Sequence, residues 1–510
     1  MSALHGGGER NIIPRWRRFG KTVRVGELKP LHVPQSPEVS TVGLNESLAA
    51  YASDPGLHTA GDVLSQAVVL GFRSPEIDAA ARYVITAPNQ TGRIASQLAE
   101  RVVNDSISGA SQLDSSPLIE VADFRLRVRQ MRGILQREPR NSIRWTDLAL
   151  AYVNLGLLEQ AERAMRVALS LSPSNRYVLR SAVRLYLLLD RPDQARFVLR
   201  DDDLLRDPWI HASELSLAEI LERPARKMRA ARTAVEEDAF APWHLSELAS
   251  ELATIDLRAG KVRHGKQLLR RALVSPTENT IAQVKWVAIE SGIDIPAIPG
   301  DEPPLLHEAK AREFEQAGKY LEALEEAMRW QIDQPFDPEP ALFGSYVAAM
   351  ALERYDTAID IAERGLRSNP ANTMLRNNLV FSLASVGRIE DAAVEAAKME
   401  TLPDTKDQAV TEATRGLVDF RSGNTQAGRA RYQDSVSTFR RNEDSYRAAL
   451  ATFLWAREEL IAGTPEALNV LEDATKVGSG SGWRLVEMWR SRLSAMVAAG
   501  SEKRPRKRRR

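Results

Sequence analysis

The stretch SIRWTDLALAYVNLGLLEQAERAMRVALSLSP, residues 142–173, decides how the rest of the chain reads. Its residues fall at the spacing of a pair of helices joined at Gly156. Small side chains at Ala149, Ala161 and Ala168 let two antiparallel helices approach closely. Trp145 and Tyr152 fill the gap between them, and Pro173 stops the second helix. Each residue has a packing task, so the two aromatic rings read as core and not as a ligand cage.

Counted from Ser142 as the first position of a 34-residue unit, Trp145, Leu148, Ala149, Tyr152, Gly156, Ala161, Met165, Ala168 and Pro173 take the signature positions and the inter-helix glycine. The pattern resembles a tetratricopeptide repeat, and the resemblance extends in both directions over residues 117–499. It implies an all-α fold, a right-handed α-solenoid of such helix pairs, carrying an extended N-terminal arm and a disordered basic C-terminal tail.

Upstream, Pro117–Arg137 reads as one helix and a half-repeat, with Met131, Ile134 and Pro139 in phase. Downstream, a unit from Arg176 carries Ala182, Tyr186, Ala195 and Leu199. Residues 208–241 give two helices without the signature, and a unit from about Ser246 resumes it with Leu252, Ala253, Gly260, Leu269 and Ala272. Pro296, Pro299, Pro303 and Pro304 then forbid a continuous helix. Beyond them, units from Pro304, Glu339 and Thr373 repeat cleanly, weaker ones start at Ala409 and Ala448, and the glycine-rich run at 478–482 leads to a last helix over 483–499 that caps the array.

The expected organisation is an extended basic, Pro-rich arm over 1–57, short helices and a linker over 58–116, a first array over 117–292, a Pro-rich joint over 293–303, a second array over 304–499, and a basic tail over 500–510. Within 58–116, Ser74 before Pro75 reads as an N-cap.

A net charge of +1 hides a segregation. Residues 1–30 carry seven Lys or Arg against two Glu, and residues 501–510 carry seven against one. Setting those aside leaves 55 basic and 65 acidic residues, so the body is acidic and both ends are basic. Such ends suit an acidic partner or the body itself. In the N-terminal arm, Arg15, Arg17, Arg18 and Lys21 interleave with Trp16 and Phe19, a pattern that fits phosphate docking with stacking, folding onto a partner protein, or packing of the rings onto the chain's own solenoid. At the other end Arg506, Lys507 and Arg508 belong to the tail. The absence of cysteine removes disulfides and thiolate metal sites and favours a reducing compartment, and no stretch has the apolar core of a signal peptide or a membrane span. A soluble, cytoplasmic protein is expected. Arginine in excess of lysine, with abundant alanine, points to a GC-rich bacterial source.

No catalytic constellation emerges. Gly20, Lys21 and Thr22 mimic the end of a phosphate-binding loop, but Arg15 stands where its first glycine belongs and no strand precedes it. The seven His are scattered without metal-ligand spacing. We expect no enzyme activity, no cofactor and no metal.

The surface remains. In tetratricopeptide arrays the first helix of each unit lines a concave groove, and the resemblance carries its groove positions onto Tyr177, Arg180, Ser181 and Arg184, onto Phe343, Val347 and Met350, and onto Met374, Asn377, Asn378 and Phe381. The arginines suit an acidic side chain, the asparagines an extended backbone, and the phenylalanines apolar anchors. The asparagine that chaperone-binding members use for a terminal carboxylate is replaced here by Leu150, Arg184, Val347 or Phe381, so that activity is not implied. The expected function is a scaffold that receives a partner protein or peptide in the groove. The alternative is a helical-repeat body tethered to RNA or DNA by its basic ends.

Overall fold

Two kinds of helix start recur along the chain, and together they mark most of the repeat. The computed structural model describes residues 10–19, 42–70, 74–87, 99, 117–294, 305–478 and 482–502. Among these, Asn141, Asn175, Asp207, Thr277, Asp337, Asn372, Asp404 and Asp444 each precede a helix and accept, through the side chain, a backbone N–H two or three residues on. These caps satisfy donors that a helix start otherwise leaves orphaned. The partner helices have no such cap. They follow a turn in which one residue takes a left-handed φ, as Gly156, Gly318, Gly387 and Gly423 do, and the next N–H bonds back to a carbonyl of the preceding helix, Leu157 to Tyr152 and Lys319 to Phe314. That turn ends one helix and reverses the chain into the next.

The chain falls into two units, residues 23–120 and residues 1–22 with 121–510. In the smaller, α1 (Val42–Ser53), α2 (Leu57–Leu70) and α3 (Pro75–Thr86) pack around Leu44, Val63, Leu64, Ile77 and Val84. Ser74 caps α3 through Ile77 N–H, with Pro75 at its first position. Helix α1 lies within the stretch expected to be an extended arm, because VGLNESLAAYAS holds no proline.

The larger unit takes in α4 (Pro117–Arg137) from residue 121 onward and continues as pairs: α5 (Ser142–Val153) with α6 (Leu158–Leu171), α7 (Arg176–Leu188) with α8 (Pro192–Val198), α9 (Pro208–Ile220) with α10 (Met228–Glu236), and α11 (Pro242–Arg258) with α12 (Val262–Ala272). A single helix, α13 (Glu278–Glu290), precedes the Pro-rich joint, most of which lies outside the described residues. Pairs resume with α14 (His307–Gln316) and α15 (Tyr320–Asp333), α16 (Pro338–Tyr346) and α17 (Tyr355–Ser368), α18 (Thr373–Ser385) and α19 (Ile389–Ala396), α20 (Thr405–Arg421) and α21 (Thr425–Arg441), and α22 (Ser445–Ala462) and α23 (Ala467–Gly478), before α24 (Arg484–Glu502). No strand occurs among the described residues. The fold is the all-α solenoid of tetratricopeptide-like helix pairs that the sequence predicts. The basic tail beyond 502 lies outside the described residues.

Small residues set the spacing inside pairs. Ala149, Ala161, Ala168, Ala311, Ala323 and Ala358 are completely buried. A Cβ on Gly365 would come 2.5 Å from the Cβ of Ala341. Ala161→Leu and Ala358→Leu are each expected to cost about 1–3 kcal/mol, the usual consequence of overpacking. Thermal melts followed by circular dichroism check this, and unchanged midpoints would refute the assigned helix-pair phase.

Contacts between distant repeats cross the solenoid. Ser368 Oγ, at the end of α17, donates to the Asn154 carbonyl oxygen at 3.1 Å, beside the α5–α6 turn. Phe336, before α16, belongs to the core built by α5 to α9, and Arg184 on α7 pairs with Asp337 at 2.6 Å.

Candidate functional site

The first helices of successive pairs face inward, and in the first array the space between them is filled by the chain's own residues 10–19. Ile12 and Trp16 are buried to 0% and 1% exposure. Trp16 meets the edge of the Phe336 ring at 5.8 Å, and Phe19 meets Tyr177 at 5.3 Å. The segment runs without helix or strand, and side chains of the array serve its main chain. Asn279 Nδ2 donates to the Ile13 carbonyl, Gln283 Nε2 to that of Arg10, and the Phe19 N–H donates to Asp147, each at 3.0 Å. The Tyr177 hydroxyl lies 2.9 Å from the Arg17 carbonyl and 2.8 Å from Asp147 Oδ1, one proton between two acceptors.

Charge complements shape. Arg10 and Arg15 converge on Glu308 of α14, and Arg17 spans Asp333 of α15, at 2.6 Å, and Glu278 of α13. Burial opposes ionisation of Glu308, yet the arginines hold its carboxyl well below the usual carboxylate range. Burial likewise opposes ionisation of Asp333, and the hydrogen bonds and charge of Arg17, with Gln334 and Arg15, together outweigh it and lower its pKa.

Glu251 of α11 behaves differently. It accepts from Ser216 at 2.8 Å through one oxygen while the other is buried without a partner, and burial followed by the charge of Glu219 pushes it up to about 8. A carboxyl raised in the folded state keeps its proton there after the unfolded chain has lost it. Its contribution to stability is therefore complete below the ordinary carboxylate range and is lost as pH rises through about 8. Denaturant unfolding at pH 6 and pH 9 is expected to show the wild type less stable at the higher pH. The fall amounts to about 1.4 kcal/mol for each tenfold drop in proton concentration until Glu251 itself ionises, and Glu251→Gln is expected to remove that part of it. Equal pH slopes in both proteins would refute it.

The second array carries an open cleft of about 110 Å³ between α16, α18, α20 and α22. Leu342, Met350, Met374, Phe381 and Leu450 give it an apolar floor, while Asn377, Asn378, Thr414, Tyr446 and Arg447 supply polar edges. Asn378 is used within the fold, donating to the Leu342 carbonyl at 3.2 Å and to Ser345 Oγ at 3.0 Å. Asn377 is 4% exposed and its Oδ1 has no hydrogen-bond partner.

The residues singled out in the sequence divide between these places. Tyr177 clamps the N-terminal segment, but Arg180 pairs with Glu247 at 2.8 Å and Arg184 with Asp337, so both are engaged inside the protein. Asn377, Asn378 and Phe381 line the open cleft, with Met350 and Met374. Phe343 and Val347 do not; both are 1% exposed and sit in the core, and Leu342 and Tyr346, one position back, face the cleft instead. One position is a rotation of about 100° around a helix. Of the basic residues, Arg15 and Arg17 turn inward and Arg18 is exposed, while Lys21, Arg506, Lys507 and Arg508 lie outside the described residues. Sequence reading missed Glu278, Asn279, Gln283, Glu308 and Asp333. For the first three the signal was a polar run, Thr277 to Thr280 with Gln283, on a helix whose other residues are largely apolar, and Glu308 and Asp333 carried no such signal.

No family model and no curated protein matches the chain. Among solved structures it is similar to the hetero-tetramer Cut9-Hcn1 of the APC/C at 13% identity, covering 88% of this chain and 92% of that one with a TM-score of 0.34. It is similar to yeast Tom70 at 12% identity, covering 76% and 94% with a TM-score of 0.26. It is also similar to the P58(IPK) TPR domain at 13% identity, covering 71% and 100% with a TM-score of 0.21.

Proposed function

We propose that the protein is a non-catalytic interaction scaffold, and that it receives an extended segment of a partner protein in the open cleft of the second array. One observation carries the reading: an apolar cleft between successive inward-facing helices holds the carbonyl oxygen of Asn377, buried and without a partner. A buried acceptor left unpaired is costly, and a backbone N–H of an extended peptide laid along the cleft would satisfy it. Met350, Met374 and Phe381 would take that peptide's apolar side chains.

The nucleic-acid alternative draws on the basic ends, and within the described residues Arg10, Arg15 and Arg17 are engaged by the protein's own carboxylates. No helix among the described residues is long and apolar enough to cross a membrane. Asn377→Ala combined with Phe381→Ala is expected to weaken partner capture by about 2 kcal/mol or more with helix content unchanged. Affinity capture with and without nuclease, beside circular dichroism, measures it. Capture that survives the double variant and disappears with nuclease would replace this reading by the alternative.

A further inference from the structure

We propose that the groove of the first array is a second binding surface, specific for an extended peptide in which arginines flank a tryptophan, and that residues 10–19 are its intramolecular occupant. The contacts are those of a bound ligand. Four side chains from three different helices, Asp147, Tyr177, Asn279 and Gln283, address the segment's main chain, which any extended peptide presents. Specificity comes from two buried anchors, Ile12 and Trp16, and from carboxylates spaced to meet Arg10, Arg15 and Arg17. Among the described bonds, the segment makes one main-chain hydrogen bond of its own, Ile13 N–H to the Asn11 carbonyl at 2.7 Å.

The fit is incomplete, and this argues that the occupant can leave. A cavity of about 180 Å³ remains beside the segment, between Arg10, Arg15, Glu308 and Trp330. Around it Asn11 Oδ1, Arg15 Nε and Trp330 Nε1 are buried without hydrogen-bond partners. A peptide with a larger polar side chain at the place of Asn11 would reach Trp330 Nε1, which belongs to the groove and stays when the segment leaves. The intramolecular segment holds the site in spite of the poorer fit because its attachment supplies an effective concentration of the order of millimolar. This surface is separate from the cleft of the second array, so either proposal stands if the other fails.

The probe is a fluorescent peptide of residues 9–20, ERNIIPRWRRFG, titrated by anisotropy against the full-length chain. Wild type is expected to bind it at least tenfold more weakly than the full-length variant Trp16→Ala with Arg17→Ala, whose own segment is crippled. Adding Glu278→Gln and Asp333→Asn to that variant is expected to abolish the gain. Amide exchange on the wild type gives an independent readout that needs no variant: the hydrogen-bonded N–H groups of Ile13 and Phe19 are expected to exchange at least tenfold faster than those in the middle of α7 and α13. A folded crippled variant that binds the peptide no better than wild type overturns the proposal. Exchange of the segment only at the rate of the core helices overturns it as well, showing a permanent part of the core.

Discussion

Glu458→Ala is expected to lower the unfolding free energy by about 3–5 kcal/mol, because it strands a buried guanidinium. Arg457 is 4% exposed and Glu458 1%, and the Arg457 Nε–Glu458 Oε1 distance is 2.6 Å. The same carboxylate receives Arg421 from α20 at 2.6 Å. Arg457 lies 5.4 Å from both the Phe381 and the Trp489 ring centres, so it has no route to water. Replacing both charges, by Arg457→Leu with Glu458→Ala, is expected to recover most of the loss, since a buried pair contributes little net stability while a lone buried charge is costly. Denaturant unfolding of the two variants decides it. A single-variant loss below about 1 kcal/mol would show that Arg457 finds another partner.

The second large effect comes from two glycines in equivalent turns. Gly156 and Gly260 have nearly the same left-handed backbone, φ 70° and 74°, so alanine at either meets a similar conformational penalty of about 1–2 kcal/mol. Their surroundings differ. A Cβ on Gly260 meets nothing within 4 Å, whereas one on Gly156 would lie 2.5 Å from the Arg367 carbonyl oxygen, a backbone atom at the end of α17. Gly156→Ala is therefore expected to cost about 1–3 kcal/mol more than Gly260→Ala, because it overpacks the contact that Ser368 and Asn154 make across the solenoid. Paired thermal melts measure the difference directly, and equal losses would mean that this contact does not hold in solution.

The helix pairs were legible because their causes are local. Caps such as Asn141 and Asn372, turn glycines such as Gly318 and buried alanines such as Ala161 act within a few residues of where they stand. What escaped was set at long range. Nothing near Arg17 announces Asp333, which is brought to it only by the curvature of the whole array. The open cleft was half legible: Asn377, Asn378 and Phe381 follow from position within a repeat. Phe343 and Val347 do not, because the π turn at Val347–Ala351 and the rotation of α16 present the neighbouring residues. Arg180 and Arg184 occupy groove positions and yet are neutralised by Glu247 and Asp337, residues in other repeats that no single-unit pattern includes.

The seating of the N-terminal segment also orders events during synthesis. Arg17 leaves the ribosome 316 residues ahead of its partner Asp333. At about 5–20 residues per second, the interval is about 15–60 s. Until then the groove lacks one wall, and Trp16, almost completely buried in the finished protein, still lacks Phe336, whose ring it meets. The nascent chain thus carries this anchor, set between arginines, with its site unfinished for the whole of that interval.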